Sequence, residues 1–462
     1  MNYDLIVIGS GPAGEKGAAQ AAYFGKKVAL VERCKVFGGA AANTGTLPSK
    51  TLRETALMLS GLKARKLHGL DLSIRRECTV KDFLHHEKQV VYAEQSRVEK
   101  NMSRHGVDVY YGTGQFKNAN VMEIYTDDEI TSISGEKILI ATGSSPFRPD
   151  NFPRFHPSIY DSDTILSLQR IPNKMVVIGA GVIGCEYACT FAALGVEVHL
   201  VNGRDHLLTF LDEEIQTALK DSMKSLGVNF LTPERVAECI TKSDNEVVLT
   251  MESGKVIACD TVLLACGRQS NTDALKLGLA GVEVGERGLL SVNEFYQTNV
   301  KHIYAAGDVI GFPALASTSM EQARFAMDHA FNLGYKKQVA PIPAYGIYTI
   351  PEVSMAGYTE SQLNERNVDY VCGKAYYNQN ARGMIVGDEH GLLKLLFETK
   401  TMKLVGVHVI GESASELIHA GLIALMSGAN HELFISTCFN YPTLSELYKY
   451  ATYDAMGKVN SR

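Results

Sequence analysis

Two runs of glycine carry the first chemical signal. Gly9-Ser10-Gly11-Pro12-Ala13-Gly14 follows the unbroken apolar run Leu5-Ile6-Val7-Ile8, and Gly179-Ala180-Gly181-Val182-Ile183-Gly184 follows Met175-Val176-Val177-Ile178. In such a pattern the first glycine allows a tight turn, the second lets a pyrophosphate approach the backbone, and the third lets a helix pack closely on the strand. The free N–H groups at the start of that helix then face the phosphates. Glu32 lies eighteen residues past Gly14, near the spacing of an acid that binds a ribose hydroxyl, with Arg33 beside it. At the matching place the second unit reads Asn202-Gly203-Arg204. A carboxylate there repels a 2′-phosphate, and here that repulsion is absent. Arg204 suits a phosphate, or is a plain surface charge, while Asn202 suits a ribose hydroxyl. Two dinucleotides in one chain are the expectation, the second site accepting a nucleotide with or without a 2′-phosphate.

The elements that position these residues can be read from the same stretches. Continuous apolar runs are expected of strands covered on both faces. The spacing predicts strands over 5–8, 27–32, 175–178 and 196–201, with helices over 15–24 and 185–194. A long helical segment is predicted over 51–110, where the charge run from Lys81 to Lys100 reads as a solvated face and His85 and His86 as surface residues. Residues 106–140 alternate as strands and end in Ala141-Thr142-Gly143. Four prolines between Pro146 and Pro157 mark a linker. Strands return over 228–266, ending at Cys266-Gly267, and a helix is expected to begin near Ser317.

Composition bounds the rest. A chain of 462 residues exceeds a single core. It is 45% hydrophobic and 21% charged, with a net charge of −6, which gives no reason to expect nucleic acid or an anionic membrane as a partner. No apolar run reaches a membrane span. The N-terminus enters a strand at once, so no secretory signal is expected. The nine cysteines lack metal-type spacing, no metal site is predicted, and Cys185 and Cys189 read as buried thiols. An uneven thiol count fits a reducing cytoplasm.

The stretch Gly38-Gly39-Ala40-Ala41-Ala42-Asn43-Thr44-Gly45-Thr46-Leu47-Pro48-Ser49-Lys50 is predicted to start a helix near Pro48. It resembles the redox helix of the flavoprotein disulfide reductases with two dinucleotide-binding domains, the family of lipoamide dehydrogenase and glutathione reductase. Thr298 to Asp308 and Phe439-Asn440-Tyr441-Pro442 to Glu446 resemble that family's second FAD segment and its interface domain. The resemblance implies an α/β fold with two Rossmann-type domains and a C-terminal α+β dimerisation domain. Its expected bounds are 1–150 and 271–340 for FAD, 151–270 for NAD(P), and 341–462 for the interface, with assembly as a homodimer or larger. It also implies that Lys50 pairs with Glu186 beside the flavin, that Asp308 binds ribityl hydroxyls, and that Gly9, Gly11, Gly14, Glu32, Arg33, Gly38, Gly39, Ala141 and Gly143 line the FAD site. Gly179, Gly181, Gly184, Asn202, Arg204 and Gly267 fall to NAD(H) or NADP(H).

Three departures agree with one another. The two cysteine positions hold Ala41 and Thr46, and the histidine base is replaced by Tyr441. Neither Ala41 nor Thr46 can form a disulfide, and a phenol of pKa about 10 is a poor base at neutral pH. The nicotinamide–flavin half of the family's chemistry keeps its residues, both glycine motifs with Glu32, Lys50, Glu186 and Asp308. The catalytic candidates are Lys50, Glu186, Thr46 and Tyr441. The expected reaction is FAD-dependent hydride transfer between NADPH and NAD⁺ by a ping-pong course, with NAD(P)H:quinone or dye reduction as the alternative.

Overall fold

The computed structural model describes residues 1–61 and 79–461. Strand Asn2–Ile8 is buried from Leu5 onward, and Val28–Glu32 is buried throughout. They pair in parallel, Leu5 opposite Val28, and the sheet continues through Asp108–Tyr111 on one side and Ile130–Ile140 on the other. Ile303–Ala305 joins Ile130–Ile140 in parallel, which returns the chain to the first unit after the second is complete. Helix Pro12–Tyr23 opens on a proline, whose missing N–H costs nothing in a first turn. Apart from Glu15, its buried residues are small, Ala13, Gly14, Gly17, Ala18 and Ala21, and helix Ala316–Phe331 packs close against it.

The second unit is a five-stranded parallel sheet in the order Val228–Leu231, Glu197–Val201, Lys174–Ile178, Thr261–Leu264, Ile159–Asp161. Helix Val182–Ala193 crosses it and is buried from Gly184 to Ala193, since the first unit's helix Thr46–Leu59 covers its other side. Beside the linker, Ser144–Pro146 pairs antiparallel with Arg268–Ser270, a ladder that joins the two units. The third unit is an antiparallel sheet, Tyr345–Ile347, Glu352–Gly357, Leu404–Gly411, Leu392–Glu398, Tyr370–Tyr376, backed by helices Ala414–Ser427 and Leu447–Asn460. Among the described residues no helix is long and apolar enough to cross a membrane.

Several expectations shift. The redox-helix stretch forms a short helix Gly39–Asn43 and then Thr46–Leu59, two residues earlier than Pro48. The second glycine unit's helix starts at Val182 rather than Cys185. The expected 51–110 segment divides into the end of Thr46–Leu59 and the helix Val80–Arg104, and its part at 62–78 lies outside the described residues. His85 and His86 are exposed, but Glu87, within the charge run, is buried with Phe83 and Leu84, and burial raises its carboxyl pKa. A single charged residue on the packed face escapes a reading made from charge density.

Lys394 ties the second and third units together. Its side chain is fully buried, and its ammonium lies 2.7 Å from Asp212, 3.0 Å from Glu214 and 2.7 Å from Glu360. The three carboxylates converge as metal ligands do, but the Lys394 ammonium occupies their meeting point and Lys374 pairs with Glu214 at 2.6 Å, so the cluster is held by lysines. Asp212 also caps helix Glu213–Ser225.

Candidate active site

The first glycine turn is fixed by steric demands that only glycine meets. Gly9 has φ +98°, and a Cβ there would stand 2.5 Å from the Ala141 carbonyl oxygen. A Cβ on Gly14 would stand 1.8 Å from the Gly9 oxygen, so the third glycine is what lets helix and turn meet. Gly39, also at positive φ, lies against Gly11, and the Gly38 N–H donates to Ser10 Oγ at 3.1 Å. Glu32 is buried at the end of its strand. Its carboxylate accepts Ser10 N at 2.9 Å, Ser10 Oγ at 2.7 Å and Cys34 N at 2.9 Å. A carboxylate offers about four acceptor positions, so one remains for a ribose hydroxyl.

A cavity of about 1340 Å³ opens from this turn. Gly9, Gly11, Glu32, Arg33, Gly39, Ala41, Thr46, Lys50, Ala141, Gly143, Glu186 and Asp308 all border it. Gly14 and Gly38 stand behind the wall and support it. The volume, the glycine-lined floor and the anchored acid fit a dinucleotide such as FAD.

Lys50 projects from helix Thr46–Leu59, and its ammonium lies 2.6 Å from Glu186 Oε2. The other Glu186 oxygen accepts the Tyr348 N–H at 2.9 Å, and the ammonium also stands 5.0 Å from the centre of the Tyr348 ring. Three segments therefore hold one cation at the cavity wall. Glu186, which in isolation reads as a solvated helix charge, is buried. Ala41 and Thr46 stand together on the same wall without sulfur. Cys185 and Cys189 are free and buried, and burial pushes the Cys189 thiol up to about 12, so neither supplies a thiolate. Among the described residues Cys34 is the one cysteine on the wall, next to Glu32 and not at the Ala41–Thr46 position.

Two site residues escaped the sequence reading. Ser144 donates from Oγ to Asp308 Oδ2 at 2.8 Å, and Arg268 donates to Ser144 through Nε at 2.8 Å and to its carbonyl through Nη2 at 2.7 Å. The guanidinium also reaches Ser162 Oγ at 3.3 Å. One Asp308 oxygen is thus tethered. The signal was available: both residues directly follow glycines already singled out, Gly143 and Gly267.

The second turn repeats the first. Gly179 has φ +106°, and a Cβ on Gly184 would stand 1.9 Å from the Gly179 oxygen, while Gly181 faces open space. Gly179, Gly181, Gly184, Asn202, Arg204 and Gly267 do not border the cavity, which reaches this unit through Val182, Ile183, Glu186 and Tyr187. Asn202 Oδ1 accepts Ala180 N at 3.3 Å, and its amide donates to the carbonyls of Arg204 at 2.7 Å and His206 at 3.4 Å. It organises its own loop and keeps one lone pair for a ligand. Tyr441 is 71% exposed and lies away from the cavity of its own chain.

Comparison with known proteins agrees with this geometry. Residues 3–330 match the family model for pyridine nucleotide-disulphide oxidoreductases, and residues 343–452 match that family's dimerisation domain. A protein named soluble pyridine nucleotide transhydrogenase from Mycobacterium tuberculosis (strain ATCC 25177 / H37Ra) is 44% identical over 461 residues, 99% of this chain and 98% of that one. One of the same name from Pseudomonas putida (strain GB-1) is 40% identical over 462 residues, 99% of each chain. The HOCl-induced flavoprotein disulfide reductase RclA from Escherichia coli superposes with a TM-score of 0.87 at 26% identity, covering 98% of this chain and 99% of that one. The chain belongs to the pyridine nucleotide-disulphide oxidoreductase family.

Proposed function

We propose that this chain catalyses hydride transfer between NADPH and NAD⁺ as an FAD-dependent transhydrogenase. The observation that carries the reading is the intact Lys50–Glu186 pair, 2.6 Å apart, on a wall where Ala41 and Thr46 stand in place of thiols. The names of full-length relatives favour a second nucleotide over a quinone as acceptor.

FAD, when bound, supplies a carrier that takes hydride from one nicotinamide and gives it to another. Glu32 and the first glycine turn hold its adenosine end, and Asp308, tethered by Ser144, holds its ribityl chain. Lys50 presents positive charge where negative charge develops in the reaction, and such preorganised charge in a site shielded from water is worth about 10²–10³ in rate. Glu186 and the Tyr348 N–H keep that ammonium oriented. The turn Gly179–Gly184 with Asn202 and Arg204 receives NAD(H) and NADP(H) in alternation. In this reading residues 1–150 and 271–340 form the FAD domain, 151–270 the NAD(P) domain and 341–462 the interface domain. A second copy covers Ile423, Met426, Leu433 and Tyr441, all exposed here, and brings its own Tyr441 to the neighbouring site. Eight free cysteines among the described residues support a reducing compartment, the cytoplasm.

The test is anaerobic. Protein with one FAD per chain is expected to bleach with NADPH, recover colour with NAD⁺, and give parallel initial-rate lines. Colourless protein that takes up no flavin, or yellow protein that NADPH leaves yellow, overturns the reading. Faster recovery with a quinone than with NAD⁺ replaces it by the alternative acceptor.

A further inference from the structure

The loop at the end of strand Glu197–Val201 decides whether a ribose hydroxyl or a ribose phosphate is preferred. A second loop lies against it: Asn202 N donates to the Leu231 carbonyl at 3.1 Å, and Glu234 N donates to the Asn202 carbonyl at 2.8 Å. This contact places the Arg235 side chain on Gly203. A Cβ built on Gly203 would stand 2.7 Å from Arg235 Nε and 3.2 Å from its Cγ. Gly203 is absent from the positive-φ glycines, so its backbone does not demand glycine. What the missing side chain provides is a seat for the guanidinium stem.

The acids around this seat are held elsewhere. Asp205 takes Lys220 at 3.3 Å and Thr232 at 3.1 Å. Glu234 accepts the Arg235 backbone N–H at 3.0 Å and is drawn to Ser253. Among the described residues neither Arg204 nor Arg235 forms an ion pair within 4.0 Å. Two unpaired guanidiniums therefore flank a bare glycine at the tip of the strand where a nucleotide's adenosine ribose lies. Guanidinium is the group best shaped to grip a phosphate dianion through paired N–H donors.

We propose that Arg235, seated on Gly203, acts with Arg204 as the 2′-phosphate site for NADP(H), and is thus a specificity-determining residue. This rests on the reading that residues 151–270 bind nicotinamide nucleotides. Because both arms are exposed and Asn202 is neutral, a nucleotide without the phosphate leaves no buried charge unpaired. NAD(H) is therefore still accepted.

Calorimetric titration of the holoenzyme with 2′,5′-ADP and with 5′-ADP tests it without turnover. The unmodified protein is expected to bind 2′,5′-ADP more tightly. Arg235→Ala is expected to lose about tenfold in affinity for 2′,5′-ADP and none for 5′-ADP. Gly203→Val, which fills the seat, is expected to reproduce that loss, and raising salt to weaken 2′,5′-ADP alone. Arg235→Ala binding 2′,5′-ADP as before, or losing both ligands equally, overturns the proposal while leaving nucleotide binding intact. Unmodified protein that prefers neither ligand removes the phosphate site. Protein that binds neither removes the nucleotide reading itself. Arg235 is exposed, so its loss leaves the fold undisturbed.

Discussion

The two glycine turns are near copies in backbone and opposites in surroundings. In each the first glycine has φ near +100° and approaches a carbonyl, Ala141 at 2.5 Å or Ala265 at 2.4 Å from a built Cβ, and the third glycine's Cβ would fall within 1.9 Å of the first glycine's oxygen. The first turn is roofed by Gly38 and Gly39, and its acid is buried with three donors upon it. The second is unroofed: Gly181 faces open space, Gly203 and Arg204 are exposed, and the acid is replaced by an asparagine spent on its own loop. One fold thus makes a closed site suited to a ligand that stays and an open one suited to ligands that exchange. The difference lies in the flanking residues rather than in the glycine pattern.

Breaking the third glycine of each turn gives the largest effects. Gly14→Ala puts a methyl 1.8 Å from backbone that cannot yield cheaply, with a cost of about 3 kcal/mol or more. It is expected to yield colourless protein. Gly184→Ala meets the same obstacle at 1.9 Å in the other turn. It is expected to yield protein that is yellow but no longer bleached by NADPH. Absorbance at purification and after NADPH separates them, and a fully yellow Gly14→Ala would mean that the first turn does not hold the flavin.

Lys50→Met is next. It is expected to leave flavin content unchanged and slow bleaching by NADPH about 10²-fold in stopped flow. Glu186→Gln removes the counter-charge and the fixed orientation and is expected to slow it less. Equal rates for Lys50→Met and the unmodified protein would assign the lysine to packing alone.

Exchanging the strand-end residues sharpens the contrast at smaller scale. Glu32→Gln loses charge-assisted bonds and is expected to weaken FAD retention about tenfold. Asn202→Asp restores a carboxylate and is expected to weaken NADPH about tenfold with little change for NADH. Equilibrium titrations with each ligand decide both.

Much of this was legible because local rules bear on local structure. The glycine spacing, the apolar runs and the acid at Glu32 each declare themselves within some thirty residues, and the Lys50–Glu186 contact came from a family pattern. What stayed hidden was contact between distant segments whose residues look ordinary. Arg235 sits thirty-two positions from Gly203, and Lys394 is one lysine in a strand of leucines. Ser144 and Arg268 meet only because two short strands pair across the linker. Burial of Glu87 depends on which way one helix turns in its packing, which charge density does not encode. Tyr441 is exposed and does not border the cavity of its own chain, a placement that its local sequence does not encode.

The smallest effect concerns how the open unit is held. His408 pairs with Lys394 across the sheet, and Nε2 is 2.9 Å from the Tyr358 carbonyl oxygen. Asp212 and Glu360 face it as anions and Lys394 as a cation. Burial is the largest influence and holds its pKa below the ordinary value near 6.5, more than Asp212 raises it. A depressed folded pKa means that the unfolded chain takes up the proton first as pH falls. The stabilisation is full above about 6.5 and is lost progressively below it, since protonation there favours unfolding. His408→Gln keeps a donor for Tyr358 and removes the titration. It is expected to flatten the fall in melting temperature on going below pH 6.5 while leaving the value at pH 8 close to the original. Burial raises the Asp212 and Glu214 carboxyls, but His408 and Lys394 hold Asp212 low and Lys374 and Lys394 hold Glu214 low, so both titrate further down. If His408→Gln melts with the same pH slope as the unmodified protein, the sensitivity belongs to other groups, and the junction that ties the open turn's unit to the third unit is indifferent to acid in that range.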